Sequence, residues 1–155
     1  MTNMNIEETI KNTAPLSLSA KTVINIMYTS RFVEELASSL FKSNDLTPQQ
    51  YNVLRILRGQ KGKPANLATI QERMIDKSSN TTRLIDKLID KGCVKRQICA
   101  KNRRKIEVFI TSEGLDLLQG LDPSIEKLNQ AIVEHLSTHE KENLNVLLDK
   151  LRNKD

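Results

Sequence analysis

Apolar residues recur along this chain at two periods, and the change from one to the other marks its organisation. Between about Ser17 and Phe41, the residues Ile24, Tyr28, Phe32, Leu36 and Leu40 step by four, with Val33, Ala37 and Phe41 in the adjacent row, which predicts one long helix with a wide apolar stripe. Roughly 25 residues at 1.5 Å each make about 37 Å, more than the core of one small domain covers, so part of the stripe is expected to meet another chain. The segment LTPQQYNVLRILRG opens with Thr47 as N-cap, Pro48 at the first helical position and Gln50 closing a capping box, and it stops at Gly59. After a polar turn to Pro64, the spacing of Leu67, Ile70 and Met74 predicts a short helix from about Asn66. A break over residues 75–77 leads into a further helix, capped by Asp76 or Ser78, that turns Leu84, Ile85, Leu88 and Ile89 inward and ends at Gly92.

Beyond Gly92 the period falls to two. Val94, Arg96 and Ile98, then Ile106, Val108 and Ile110, predict two strands joined through AKNRRK, a hairpin with a basic tip. Thr111 or Ser112 starts another helix with Leu115, Leu118 and Leu121 inward, and Asp122-Pro123 either kinks it or caps a fresh start. Ile125, Leu128, Ile132 and Leu136 continue the stripe, and a second capping box, Ser137 with Glu140, precedes Leu144, Leu147, Leu148 and Leu151 at helical spacing. Residues 1–15 carry no apolar periodicity and end in Pro15, so a flexible N-terminal arm is expected ahead of a single domain over residues 16–155.

At 155 residues, with 38% apolar and 28% charged positions, the chain has the size and balance of one globular domain. No apolar run reaches the roughly 18 to 20 residues of a membrane helix, and the N-terminus is polar with two Glu, so a cytoplasmic protein without a membrane partner is expected. Cys93 and Cys99 form no CxxC pair, which makes reduced thiols the simplest reading. Charge changes the picture more. The net charge is +5, yet 11 basic and 3 acidic residues fall between Arg73 and Lys105, a local balance of +8 that leaves −3 for the remainder. A surface so basic suits a polyanion.

The order helix, helix, helix, turn, helix, hairpin, long helix, helix gives the short pair around residues 74–77 helix-turn-helix proportions, with the hairpin as a wing. The segments LTPQQYNVLRIL, DKSSNTTRLIDKLIDKGCVKR and NRRKIEVFITSEG resemble the multiple antibiotic resistance regulator (MarR) family of bacterial transcription factors, over about Ser17 to Leu151. The resemblance implies a mainly α winged helix-turn-helix fold, with about six helices and a two- or three-stranded wing. It also implies a homodimer. Helices over about 16–42 and 123–152 would form the dimer interface, and a lobe over about 47–111 would face a pseudo-palindromic operator in double-stranded DNA, with repression by promoter occlusion.

In the expected recognition helix, four inward residues leave Ser78, Ser79, Asn80, Thr82 and Arg83 near the exposed N-terminal end. In a major groove Asn pairs with adenine, Arg with guanine, Thr touches a thymine methyl, and Ser holds phosphate; N-terminal capping is the competing role of residues 78–80. Lys77, Lys87 and Lys91 suit sequence-blind phosphate contacts or solvated charge. At the wing, Lys101, Arg103, Arg104 and Lys105 place four cations in five residues. The family's Asp-x-Arg wing pattern matches Asn102-Arg103-Arg104, so resemblance assigns Arg104 to the minor groove, with Arg103 as the alternative because Asn102 offers only neutral hydrogen bonds where Asp would form a charged pair. Resemblance further implies a small aromatic effector between the dimer helices and the lobe, with Tyr28, Phe32 and Tyr51 as candidates against plain core packing.

Catalysis finds little support. His135 and His139 are the only imidazoles, and neither a Gly-rich phosphate loop nor a GxSxG elbow occurs. Ser137 reads as a helix start between the two histidines, which spoils a metal pair, and no cofactor is expected. Peroxide-sensing members of the family carry their reactive Cys in the first helix, where this chain has none; Cys99, near Arg96 and Lys101, is the thiol with a basic environment. A non-enzymatic regulator is the principal expectation. A winged-helix module that binds an acidic protein is the alternative.

Overall fold

A computed structural model describes residues 4–153. Its elements are α1 (Ile6–Thr9), α2 (Leu18–Lys42), α3 (Pro48–Arg58), α4 (Leu67–Arg73), α5 (Thr81–Asp90), β1 (Val94–Cys99), β2 (Asn102–Ile110), α6 (Ser112–Ile132) and α7 (Thr138–Arg152). The fold is mainly helical with one two-stranded antiparallel sheet, a winged helix. A third strand is present only as one bridge, Ala65 to Val108.

Local chemistry explains most of the boundaries. Ser17 caps α2, and Thr47 with Gln50 forms the capping box of α3, Pro48 standing where a missing N–H costs nothing. Asn66 caps α4, Thr111 caps α6, and Ser137 with Glu140 boxes the start of α7. Gly92 closes α5 at φ +72°, a left-handed conformation that any side chain would resist.

Two expectations are corrected and one open choice is narrowed. The arm is not uniformly loose: Asn5 and Glu8 form a capping box on the single turn α1, Ile6 is buried, and the Glu7 carboxylate accepts from Leu16 N at 3.0 Å and from Lys21 Nζ at 2.9 Å, which ties the turn to α2. Those hydrogen bonds also hold the Glu7 carboxyl below its ordinary pKa, the Leu16 amide foremost. Secondly, α5 is capped by Asn80 and not by Asp76 or Ser78. The choice left open at Asp122-Pro123 falls against a fresh start, since α6 is one helix with Pro123 inside it.

Core residues come from every lobe element. Val53, Leu54 and Leu57 of α3, Ile70 of α4, Ile85 and Leu88 of α5, Val94 and Val108 of the sheet and Leu118 of α6 are all at most 2% exposed. Thus α3 is the central helix, packed against α2, α4, α5, α6 and β2. At Gly114 the start of α6 touches the backbone just ahead of β1, because a Cβ there would stand 2.3 Å from the Cys93 carbonyl oxygen. The terminal helices differ: α7 buries no residue, and Leu144, Val146, Leu147 and Leu151 are exposed, as are Leu18, Val23 and Met27 on α2.

Candidate nucleic-acid interface

The turn between α4 and α5 is held from beneath by polar side chains. Asn52 of α3, 5% exposed, accepts from Ile75 N at 2.8 Å through Oδ1. Asp76 Oδ1 accepts from Ser78 N at 2.9 Å and Ser78 Oγ at 2.6 Å, while Gln49 Nε2 approaches Asp76 Oδ2 at 3.4 Å. The Ser78 hydroxyl and amide, then Gln49, keep the Asp76 carboxyl below its ordinary pKa, so it is ionised near neutrality. Gln71 of α4 donates to the Lys77 carbonyl at 3.0 Å and accepts from the hydroxyl of the buried Thr81. The turn is therefore a fixed corner.

This corner sorts the expected contact residues. Ser78 and Ser79 lie in the turn just before the cap, the Ser78 hydroxyl committed to Asp76 and Ser79 half-buried with its Oγ enclosed. Asn80 Oδ1 accepts from Arg83 N at 3.0 Å, the capping role. Thr82, Arg83 and Lys87 are exposed on α5, and among the described residues their side chains have no hydrogen-bonding or ionic partner. The Lys77 ammonium donates to the Glu72 carbonyl. Lys91 is not a solvated charge: it donates to the Asp45 carbonyl at 2.6 Å and pairs with the Asp45 carboxylate, joining the end of α5 to the loop after α2.

The hairpin runs in register from Val94↔Ile110 to Ile98↔Ile106, then shifts so that Cys99 faces Asn102. That shift leaves Arg103, Arg104 and Lys105 without an opposing residue on β1 and makes Ala100-Lys101 the turn. Lys101, Arg103, Arg104 and Lys105 are exposed and lack acidic partners among the described residues. Asn102 Oδ1 accepts from the backbone N–H of Arg104 at 3.0 Å, so it orders the main chain beneath the arginine and leaves the guanidinium unheld. Gln97 at 3.0 Å, and then Cys99, hold the Glu107 carboxyl below its ordinary pKa.

The remaining candidates separate from this surface. Tyr28 and Phe32 are exposed on α2 and, with Ile24, Met27, Arg31 and Glu35, line an open concavity of about 390 Å³. Tyr51 does not join them: it stacks on Phe41 with ring centroids 4.5 Å apart, packed on the core. Cys93 is buried, and desolvation pushes its thiol up; Cys99 is half-buried at the wing. Ser137 caps α7 between His135 and His139, and His139 Nε2 instead meets Asn143 at 3.0 Å. Among the described residues no three His, Cys, Asp or Glu side chains cluster to hold a metal, and no helix is long and apolar enough to cross a membrane.

The MarR family model matches residues 46–106, the span from the start of α3 through α5 into the wing. A MarR transcription factor from Planctomyces limnophilus is 30% identical, with 88% of this chain and 98% of that one covered at a TM-score of 0.69. The chain belongs to the MarR family. This MarR protein is also 25% identical over 126 residues to the transcriptional regulator HosA of Escherichia coli, covering 81% of this chain and 87% of HosA. Its fold is shared with Bordetella bronchiseptica BpsR, whose DNA binding is regulated by 6-hydroxynicotinic acid, at a TM-score of 0.75, 21% identity and coverage of 86% and 99%. As a member of that family it is a DNA-binding transcriptional regulator with a winged helix.

Arg83 and Lys87 on α5 and Lys101, Arg103, Arg104 and Lys105 on the wing are brought to two adjacent elements, while Lys77 lies in the turn and Lys91 past the end of α5. What the sequence left unnoticed is the layer behind them: Gln49, Asn52 and Gln71. Asn52 carried a signal, since it is a polar residue directly beside Val53 and Leu54 in the apolar row of α3.

Proposed function

We propose that this MarR protein acts as a homodimeric repressor that reads a pseudo-palindromic operator through α5 and the wing. The observation that carries this reading is the set of exposed side chains without partners among the described residues, Thr82, Arg83 and Lys87 on α5 and Lys101, Arg103 and Arg104 on the wing. Arg83 is the guanine reader and Thr82 touches a thymine methyl, because both are free on the first turn of the helix. Asn80 Oδ1 accepts the capping hydrogen bond from Arg83 N, which ties the side chain to the helix end and leaves one lone pair and the amide NH₂ to meet a base. Ser78 and Ser79 contribute through the backbone of the corner, while Lys77, Lys87 and Lys101 meet phosphate. Arg104 enters the minor groove, where the duplex supplies the partner its exposed guanidinium lacks among the described residues.

Dimerisation is supported by the exposed apolar residues of α2 and α7, which a monomer would leave in water. The aromatic effector, by analogy with the regulation of BpsR, would lie against Tyr28 and Phe32, with Arg31 as the cation for a carboxylate; Tyr51 belongs to the core. Selection of bound sequences from a random duplex pool tests the operator reading. The expected product is a dyad-symmetric site with half-sites about 10 base pairs apart, centre to centre. Binding that lacks both enrichment and salt dependence would favour instead a module that docks an acidic protein.

A further inference from the structure

Arg96 lies within the basic segment, yet it is already engaged. Its Nη1 donates to Asp86 Oδ1 at 2.7 Å, joining β1 to α5, and the two side chains are 50% and 49% exposed. By register Arg96 opposes the fully buried Val108, between the pairs Val94↔Ile110 and Ile98↔Ile106. Farther out, the next pair in register is more open: Ile98 is 64% exposed and Ile106 38%. Among the described residues Arg96 is the outermost position of the hairpin whose side chain is bonded to another element, since Gln97 bonds only across the wing to Glu107.

That position gives the pair leverage. From Arg96 to the turn is about 15 Å of strand, so a swing of roughly 10° at this point moves the tip by nearly 3 Å, as much as a hydrogen bond is long. A helix in one groove and a hairpin tip in the next must keep a separation fixed by the duplex. We infer that Asp86 and Arg96 are a positioning pair that sets the angle of the wing to the recognition helix, and that operator affinity depends on them although neither touches DNA. This rests on the operator reading proposed above.

Charge arithmetic distinguishes the pair from a general electrostatic effect. Arg96→Gln removes a cation and Asp86→Asn removes an anion, so if only overall charge mattered the first would weaken binding and the second tighten it. As a positioning pair, each substitution lowers affinity for the selected operator about two- to fivefold, the double variant is no worse than either single one, and affinity for random duplex changes far less. The thermal midpoint is measured in parallel. Tighter operator binding by Asp86→Asn, additive losses, or a lowered midpoint with an unchanged ratio of operator to random affinity would each overturn the pair while leaving operator recognition intact. Failure of the unaltered chain to select any operator would sink both. If Asp86→Asn is too unstable to measure, Arg96→Lys keeps the charge but shortens and reshapes the donor: a reduced ratio supports the pair and an unchanged one refutes it.

Discussion

Arg104 shows how a single neutral substitution in a motif alters what the side chain must do for itself. An aspartate two positions earlier would clamp the guanidinium in a charged pair, whereas Asn102 orders only the backbone N–H of Arg104. The duplex has to supply the order, at the cost of side-chain entropy on binding. We expect Arg104→Ala to weaken operator binding by roughly 1 to 3 kcal/mol and to leave the dimer intact, checked by anisotropy titration alongside light scattering. If Arg103 is the arginine in the groove, Arg103→Ala carries that loss and Arg104→Ala does not. The cations were legible in the sequence because charge density needs no three-dimensional information. The commitments of Lys91 to Asp45 and of Arg96 to Asp86 were not, since those partners come from elements 46 and 10 residues away that only the packed core brings near.

At the scale of elements, capping chemistry carried most of the boundaries, and its one failure is instructive. Asp76, Ser78 and Asn80 are all good N-caps within five positions, and propensity does not rank them. The choice falls to Asn80 because Gln49 and Ser78 recruit Asp76 into the corner and Thr81 is drawn under cover by Gln71. The start of α7 has no such competition. There the Ser137 amide foremost, at 2.8 Å, and also its hydroxyl hold the Glu140 carboxyl below its ordinary pKa. A carboxyl lowered in the folded state adds stability that is present above its unfolded pKa and is lost as pH falls through the lowered folded value. Titration of the Glu140 carboxyl by NMR should therefore give a midpoint below that of an ordinary glutamate, and Ser137→Ala should return it upward while fraying the first turn of α7. A midpoint unmoved by Ser137→Ala would remove the hydroxyl from the causes of the shift and leave it to the Ser137 amide, which alanine retains.

For the molecule as a whole, the leucine stripe of α7 was legible as a stripe, but not the identity of what covers it. Sequence alone allowed Leu147 to serve the core of its own subunit or an interface. In the folded chain Leu147 is 63% exposed and Leu151 59%, while the core closes without any residue of α7. Burial of Leu147 must then come from a second copy if it comes at all, and that separates assembly from folding. Leu147→Asp would place a carboxylate in an apolar interface without disturbing the lobe, a cost of several kcal/mol unless the dimer opens. Light scattering should report a monomer for this variant, with the thermal unfolding of the lobe still cooperative. Operator affinity should fall toward that of a single half-site, because two lobes held about one helical turn apart share one binding event and lose that advantage when separated. A Leu147→Asp chain that stays dimeric would exclude this face of α7 from the interface and would require the exposed residues of α2 alone to hold the two lobes in phase.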